Sequence, residues 1–99
     1  MEKKKPHYPL AQVHRLIISG NWRFTRVART GALDLGLDTV GALAVVAGLT
    51  LDSFYKSMTS YADHNLWHDV YHAPITEGRL AYVKITIFEG LVVVSFKEK

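Results

Sequence analysis

Apolar residues first recur along this chain at helical spacing. Leu10, Val13, Leu16 and Ile17 fall on one side of a 3.6-residue turn, with Gln12 and Arg15 on the other. Pro9 suits a first helical turn, where its missing N–H would be unpaired anyway, and Gly20 can close the segment in the left-handed conformation. The spacing predicts a helix over Pro9–Ser19. Asn21–Thr25 (NWRFT) alternates instead and predicts a short strand, while Arg26, Arg29 and Thr30 follow in a segment without a firm period. Leu33–Leu37 reads as a turn of helix stopped at Gly36. Asp38 can then accept hydrogen bonds from the open N–H groups of a second helix. In that helix Val40, Leu43, Val46 and Ala47 give a stripe expected to be buried, and Gly41, Ala42 and Ala44 allow close packing on a sheet. Thr50 can cap one more turn, Leu51–Phe54.

Beyond this point the period becomes two. Asp52–Tyr71 has no Gly or Pro and is rich in aromatic residues, which favour strands. Ala62–Asn65 is a turn candidate between strands Tyr55–Tyr61 and Leu66–Tyr71. In the first of these, alternation puts Lys56, Met58 and Ser60 on one face and Tyr55, Ser57, Thr59 and Tyr61 on the other. A loop around His72–Gly78 leads to Arg79–Phe88, with Ala81, Val83, Ile85 and Ile87 opposite Tyr82, Lys84 and Thr86. Glu89-Gly90 reads as a two-residue hairpin turn. Leu91–Lys97 is the last strand, with Val92, Val94 and Phe96 on one face and Ser95 and Lys97 on the other. The expected architecture is α+β: one domain over residues 1–99, with an antiparallel β-sheet in a four-strand meander and N-terminal helices packed on one face.

Composition narrows the functions available. The chain has 99 residues, 48% of them hydrophobic, which suits one small core. It has no cysteine, so disulfides, thiolate zinc sites and cysteine nucleophiles are excluded, and a reducing cytoplasm is the compatible setting. The apolar run Thr39–Leu51 is 13 residues long, against the roughly 20 a membrane helix needs, so no membrane partner is expected. The net charge of +3 is unevenly placed: residues 1–29 carry seven cations against Glu2 alone, and the remainder five against eight acids. A basic half suits a polyanion such as nucleic acid.

If helices bury one face of the sheet, the other is free for chemistry. Tyr82, Lys84, Thr86, Ser95 and Lys97 point away from the core by alternation, and Lys56, Met58 and His68 are placed with them as a hypothesis. Lysines hold phosphate and stabilise the charge that builds on it, histidine exchanges protons near neutrality, and aromatic rings stack on unpaired bases. The set suits metal-free RNA cleavage, in which the ribose 2′-OH attacks the adjacent phosphorus, and nothing resembles a carboxylate cluster for magnesium. His64, His68 and His72 are spaced by four. Asn65 stands where a helical zinc motif has Glu, and in a strand that spacing spans about 13 Å, too far for one metal. No metal or cofactor is expected. The same surface would also serve a non-catalytic RNA- or DNA-binding module, or a protein that docks a partner on its open sheet.

Several strings in order carry a family resemblance: Met1–His7 (MEKKKPH), Asp34–Asp38 (DLGLD), Phe54–Thr59 (FYKSMT), Leu66–Tyr71 (LWHDVY), Lys84–Thr86 (KIT) and Val94–Lys99 (VSFKEK). Through them the chain resembles the motility quorum-sensing regulator (MqsR) family, mRNA-cleaving toxins of bacterial toxin–antitoxin pairs. The resemblance implies a RelE-like toxin fold and a ribosome-independent endoribonuclease that cuts single-stranded mRNA at triplets beginning GC. It also implies a cognate zinc-binding, helix-turn-helix antitoxin, through whose complex alone operator DNA is met. It places Lys56, Tyr82 and Lys97 in the active site. His68 joins them where the family is expected to have glutamine, and can position as glutamine does or carry a proton. His7, Tyr55 and Met58, together with Lys84 of the KIT string, are the expected RNA contacts.

Overall fold

The computed structural model describes all 99 residues. The elements run β1 (Glu2–Lys3), α1 (Leu10–Ile18), β2 (Trp22–Phe24), α2 (Arg26–Asp34), α3 (Thr39–Ala47), β3 (Phe54–Thr59), β4 (Trp67–Pro74), β5 (Leu80–Ile87) and β6 (Leu91–Glu98). Short 3₁₀ turns at Leu51–Ser53 and Thr76–Gly78 lead into β3 and β5. The fold is α+β, with three helices and one mixed sheet of six strands in the order β1-β3-β4-β5-β6-β2.

Local chemistry sets the helix ends. Pro9 is the residue before α1, and its carbonyl accepts from Gln12 and Val13. Thr25 caps α2 by accepting from the Ala28 N–H, and Asp38 caps α3 by accepting from Gly41 at 2.7 Å. The segment without a firm period, Arg26–Thr30, is therefore the first half of a capped helix. Its small side chains explain its packing: Ala28 and Ala32 are buried, and Gly31 lies so close to the Phe96 carbonyl that a Cβ would overlap it. In α3 the expected stripe is only partly right. Val46 is buried, Leu43 half-buried, but Val40 and Ala47 are exposed, and Ala42 takes the inner position. The helix is apolar nearly all round, so its periodicity does not single out a face.

The four-strand meander is present as β3–β6, but the sheet is larger and not wholly antiparallel. β2 runs parallel to β6 at one edge, Trp22 to Leu91 through Phe24 to Val93. β1 adds to β3 at the other edge, through Glu2 with Met58 and Lys3 with Ser57. Charged residues on so short an edge strand discourage further pairing. The turn between β5 and β6 takes in Phe88 as well as Glu89 and Gly90; Glu89 and Gly90 have positive φ, 52° and 112°.

Helix residues Val13, Ala28, Ala42 and Val46 pack with Tyr71, Val83, Ile85, Val93 and Phe96 in a single core on one side of the sheet. Two bulges break the alternation. In β3, Phe54 pairs with Tyr71 and Lys56 with Val70, leaving Tyr55 as the extra residue. In β6, Lys84 pairs with Ser95 and Ile85 with Val93, leaving Val94 over, its carbonyl taken by the Thr25 hydroxyl at 2.8 Å. Val93, not Val92 or Val94, therefore shares the core with Phe96. No single helix is long and apolar enough to cross a membrane.

Candidate active site

Sheet register builds the uncovered face row by row. Lys56 stands opposite Val70, Val70 opposite Lys84, and Lys84 opposite Ser95. In the next row His72 stands opposite Tyr82, and Tyr82 opposite Lys97. On the other side of the lysine row, Met58 faces His68. The neighbours of these residues along each strand, Ser57, Asp69, Tyr71, Val83 and Phe96, are all buried. Lys56, His68, Tyr82, Lys84 and Lys97, with Met58, thus share the side of the sheet that the helices leave open.

Strict alternation would put Tyr55 opposite Lys56. The β3 bulge instead brings both to the same side. The Tyr55 ring stacks on His72 at 4.3 Å between centroids, and the Lys56 ammonium lies 5.4 Å from it. His72 in turn lies 6.1 Å from Tyr82, and the Lys97 ammonium sits 5.1 Å from the Tyr82 ring. Lys4, from the segment after β1, comes within 5.7 Å of Tyr55. The result is a run of rings, Tyr55–His72–Tyr82, bordered by ammonium groups. His72 is the member that sequence reasoning assigned no role; its shared parity with His68 was the available signal.

The charges on this face differ in state. Lys56 donates to the Glu2 carboxylate at 2.8 Å; the bond holds its ammonium above the usual lysine range and the Glu2 carboxyl below the usual carboxylate range. Lys84 moves the other way: burial, then the neighbouring Lys97 and Lys56, lower its pKa. Burial raises the Tyr82 phenol against the opposing pull of Lys56, so it stays protonated at neutral pH and can donate. His68 is buried; burial, then Lys84, lowers its pKa against the pull of Asp69, so its ring is neutral at pH 7. Burial and Lys99 do the same for His72.

His7 does not join this face. Its backbone N–H, and that of Tyr8, donate to the two carboxylate oxygens of buried Asp69 at 3.0 and 2.9 Å. Its ring stacks on Trp67 at 5.3 Å, under the Lys3 ammonium. Trp67 and Asp69 alternate with His68 and Val70, so His7 lies on the helix side, beside the β1 edge. The cations of the N-terminal half are placed differently: Arg26 lines a cavity with Ser95 and Lys97. Lys4 reaches the open face, while Arg29 donates to the Phe24 carbonyl at 3.1 Å. No three histidine or carboxylate side chains gather at metal-ligand range.

An open sheet face that carries several ammonium groups and a run of stacking rings is equipped to bind and polarise a single-stranded phosphodiester. The chain belongs to a toxin family: residues 5–98 match the one described as motility quorum-sensing regulator, toxin of MqsA. It is 48% identical over 99 residues, the whole of both chains, to the mRNA interferase toxin MqsR of Escherichia coli strain K12.

Proposed function

We propose that this chain is an mRNA interferase toxin, a metal-independent endoribonuclease with a RelE-like fold that works as one domain over residues 1–99. The observation that carries the reading is the convergence of Lys56, Lys84, Lys97 and Tyr82 on one uncovered sheet face, in a chain alike over its full length to an mRNA interferase.

The roles follow from the charge states. Lys56 and Lys97 grip the scissile phosphate and stabilise the negative charge that grows on its oxygens. Tyr82, held protonated, donates a hydrogen bond to that phosphate. His68, neutral at rest, takes the proton of the ribose 2′-OH as oxygen attacks phosphorus. The O2′–P bond forms, the P–O5′ bond breaks, and the products end in a 2′,3′-cyclic phosphate and a 5′-hydroxyl. Tyr55 and Met58 flank the transcript with apolar and aromatic surface, and Tyr55 extends a stacking platform for its bases. His7, off the face, meets only RNA that runs past the β1 edge.

The substrate is single-stranded mRNA in the cytoplasm, cut at GC-containing triplets, with arrest of growth. The partner is a zinc-binding, helix-turn-helix antitoxin that brings the toxin to operator DNA. The rival is a non-catalytic RNA-binding module, which the Tyr55–His72–Tyr82 run would serve equally well. Incubating the purified protein with single-stranded RNA in EDTA decides between them. Cleavage to cyclic-phosphate ends is the expected result; binding without cleavage favours the module, and cleavage abolished by EDTA rejects the metal-free route.

A further inference from the structure

We propose that Lys84 is the general acid of the cleavage, giving its proton to the departing 5′-oxygen. The inference rests on the ribonuclease reading above and adds a residue to its chemistry.

Lys84 occupies the middle of the face. Lys56 lies in the same row two strands away, about 10 Å between backbones, with Val70 between them. Tyr82 and Lys97 make the next row, one paired step along β5 and β6. His68 lies on β4 on the opposite side of that row. The register thus sets Lys84 between Lys56 on one side and Lys97 on the other, within reach of a phosphate that both would hold. Lys84 is also half-buried, whereas Lys97 is exposed, so its ammonium has less water to exchange with.

The cations on the face fall into two kinds. Lys56 has an anionic partner in Glu2 at 2.8 Å, which fixes its charge. Lys84 has no carboxylate against it. The charged and titratable groups around it are Lys56 from β3, His68 from β4, Tyr82 from its own strand and Lys97 from β6, and two of these are cations. Burial and those two neighbours loosen the Lys84 proton, as an acid requires.

Acid rather than base follows from what the substrate does. A bound phosphodiester places negative charge among three ammonium groups and favours the protonated form of each. Lys84 then enters the reaction carrying its proton, which disqualifies it as the base. The same anion raises the affinity of neutral His68 for a proton. The step balances. The 2′-OH proton goes to His68, the electron pair of the P–O5′ bond goes to O5′, and the Lys84 proton joins it to give the 5′-hydroxyl. The lysine amine then regains a proton from water.

A substrate with sulfur in place of the 5′-bridging oxygen isolates this step, because a thiolate leaves without protonation. The rates to compare are those of Lys84→Met and wild type in EDTA, at saturating RNA, on the oxygen and sulfur substrates. The expected loss is about 10²-fold or more on oxygen, shrinking to a few-fold on sulfur. Equal loss on both substrates, or no loss on oxygen, overturns the assignment. Lys84→Arg keeps the charge but holds its proton far more tightly, and decides the matter should the Met variant not fold. It should be slow on oxygen and near wild type on sulfur, and full activity on oxygen overturns the assignment. Wild-type protein that cuts neither substrate would instead sink the ribonuclease reading itself.

Discussion

Glu2 places its carboxylate 2.8 Å from the Lys56 ammonium, so the two-residue strand β1 covers one of the cations that the proposed reaction needs. An anionic side chain occupies a position suited to a phosphate. Glu2→Gln should therefore strengthen binding of a non-cleavable RNA several-fold at low salt. The gain should vanish as salt screens the exposed charges. Since the ion pair holds the Glu2 carboxyl below its usual range, lowering the pH releases Lys56 only as Glu2 takes up its proton, below the normal carboxylate titration. Across neutral pH the wild-type pair stays intact. Affinity measured against salt and pH for both proteins checks this; identical curves would show that Glu2 does not compete.

Lys56 and Lys97 are assigned to the transition state more than to the ground state. Lys56→Ala and Lys97→Ala should each lower kcat by about 10²–10³-fold, with a smaller change in affinity for non-cleavable RNA. Single-turnover rates beside binding constants make the separation. Equal losses in binding and turnover would return both lysines to simple phosphate contacts.

Tyr55 owes its place beside His72 to the β3 bulge. If the ring run carries bases, Tyr55→Ala should weaken RNA binding on the order of tenfold, and Tyr55→Phe should recover most of the loss because the stacking surface remains. Fluorescence anisotropy of a labelled single strand reads this directly. A loss in the Phe variant as large as in Ala would mean that the hydroxyl, not the ring, is the contact.

The legible part of the fold lay where local pattern and tertiary environment agree. Leu10 to Ile17, the Asp38 cap, and the alternation of Ala81, Val83 and Ile85 with Tyr82 and Lys84 each need only a few residues of context, and each stands in the structure. Two bulges were not legible, because the extra residues Tyr55 and Val94 are defined by what lies across from them. Alternation through β3 therefore gives Tyr55 the wrong face, and alternation through β6 puts Val92 and Val94 in the core in place of Val93. The edge strands depend on remote partners: Trp22–Phe24 pairs with Leu91–Val93, and Glu2-Lys3 with Ser57-Met58. Neither the parallel pairing nor a two-residue strand has a signature in its own segment. His7 is tied to Asp69, far along the chain, which carries it to the helix side. The open face itself was half-legible: β5 and β6 declared Tyr82, Lys84 and Lys97, while Lys56 and His68 needed the register of β3 on β4.

Gly31 couples the scaffold to the site. Its Cα lies against the Phe96 carbonyl, with the Lys97 side chain adjacent, so an added methyl meets backbone that cannot swing away. Gly31→Ala should destabilise the protein by about 1–3 kcal/mol, seen as a lower denaturant midpoint at unchanged m-value, and should slow cleavage by displacing Lys97. Unchanged stability would mean that α2 shifts off β6 at no cost.

The most direct measurement maps where RNA lies. Titrating the labelled protein with a strand blocked by 2′-methoxy groups, and following its NMR signals, should perturb Tyr55, Lys56, His72, Tyr82, Lys84 and Lys97 together, with the outer faces of the helices undisturbed. Perturbations gathered instead on α1, around Gln12 and Arg15, would contradict the assignment of the open sheet face as the cleavage site.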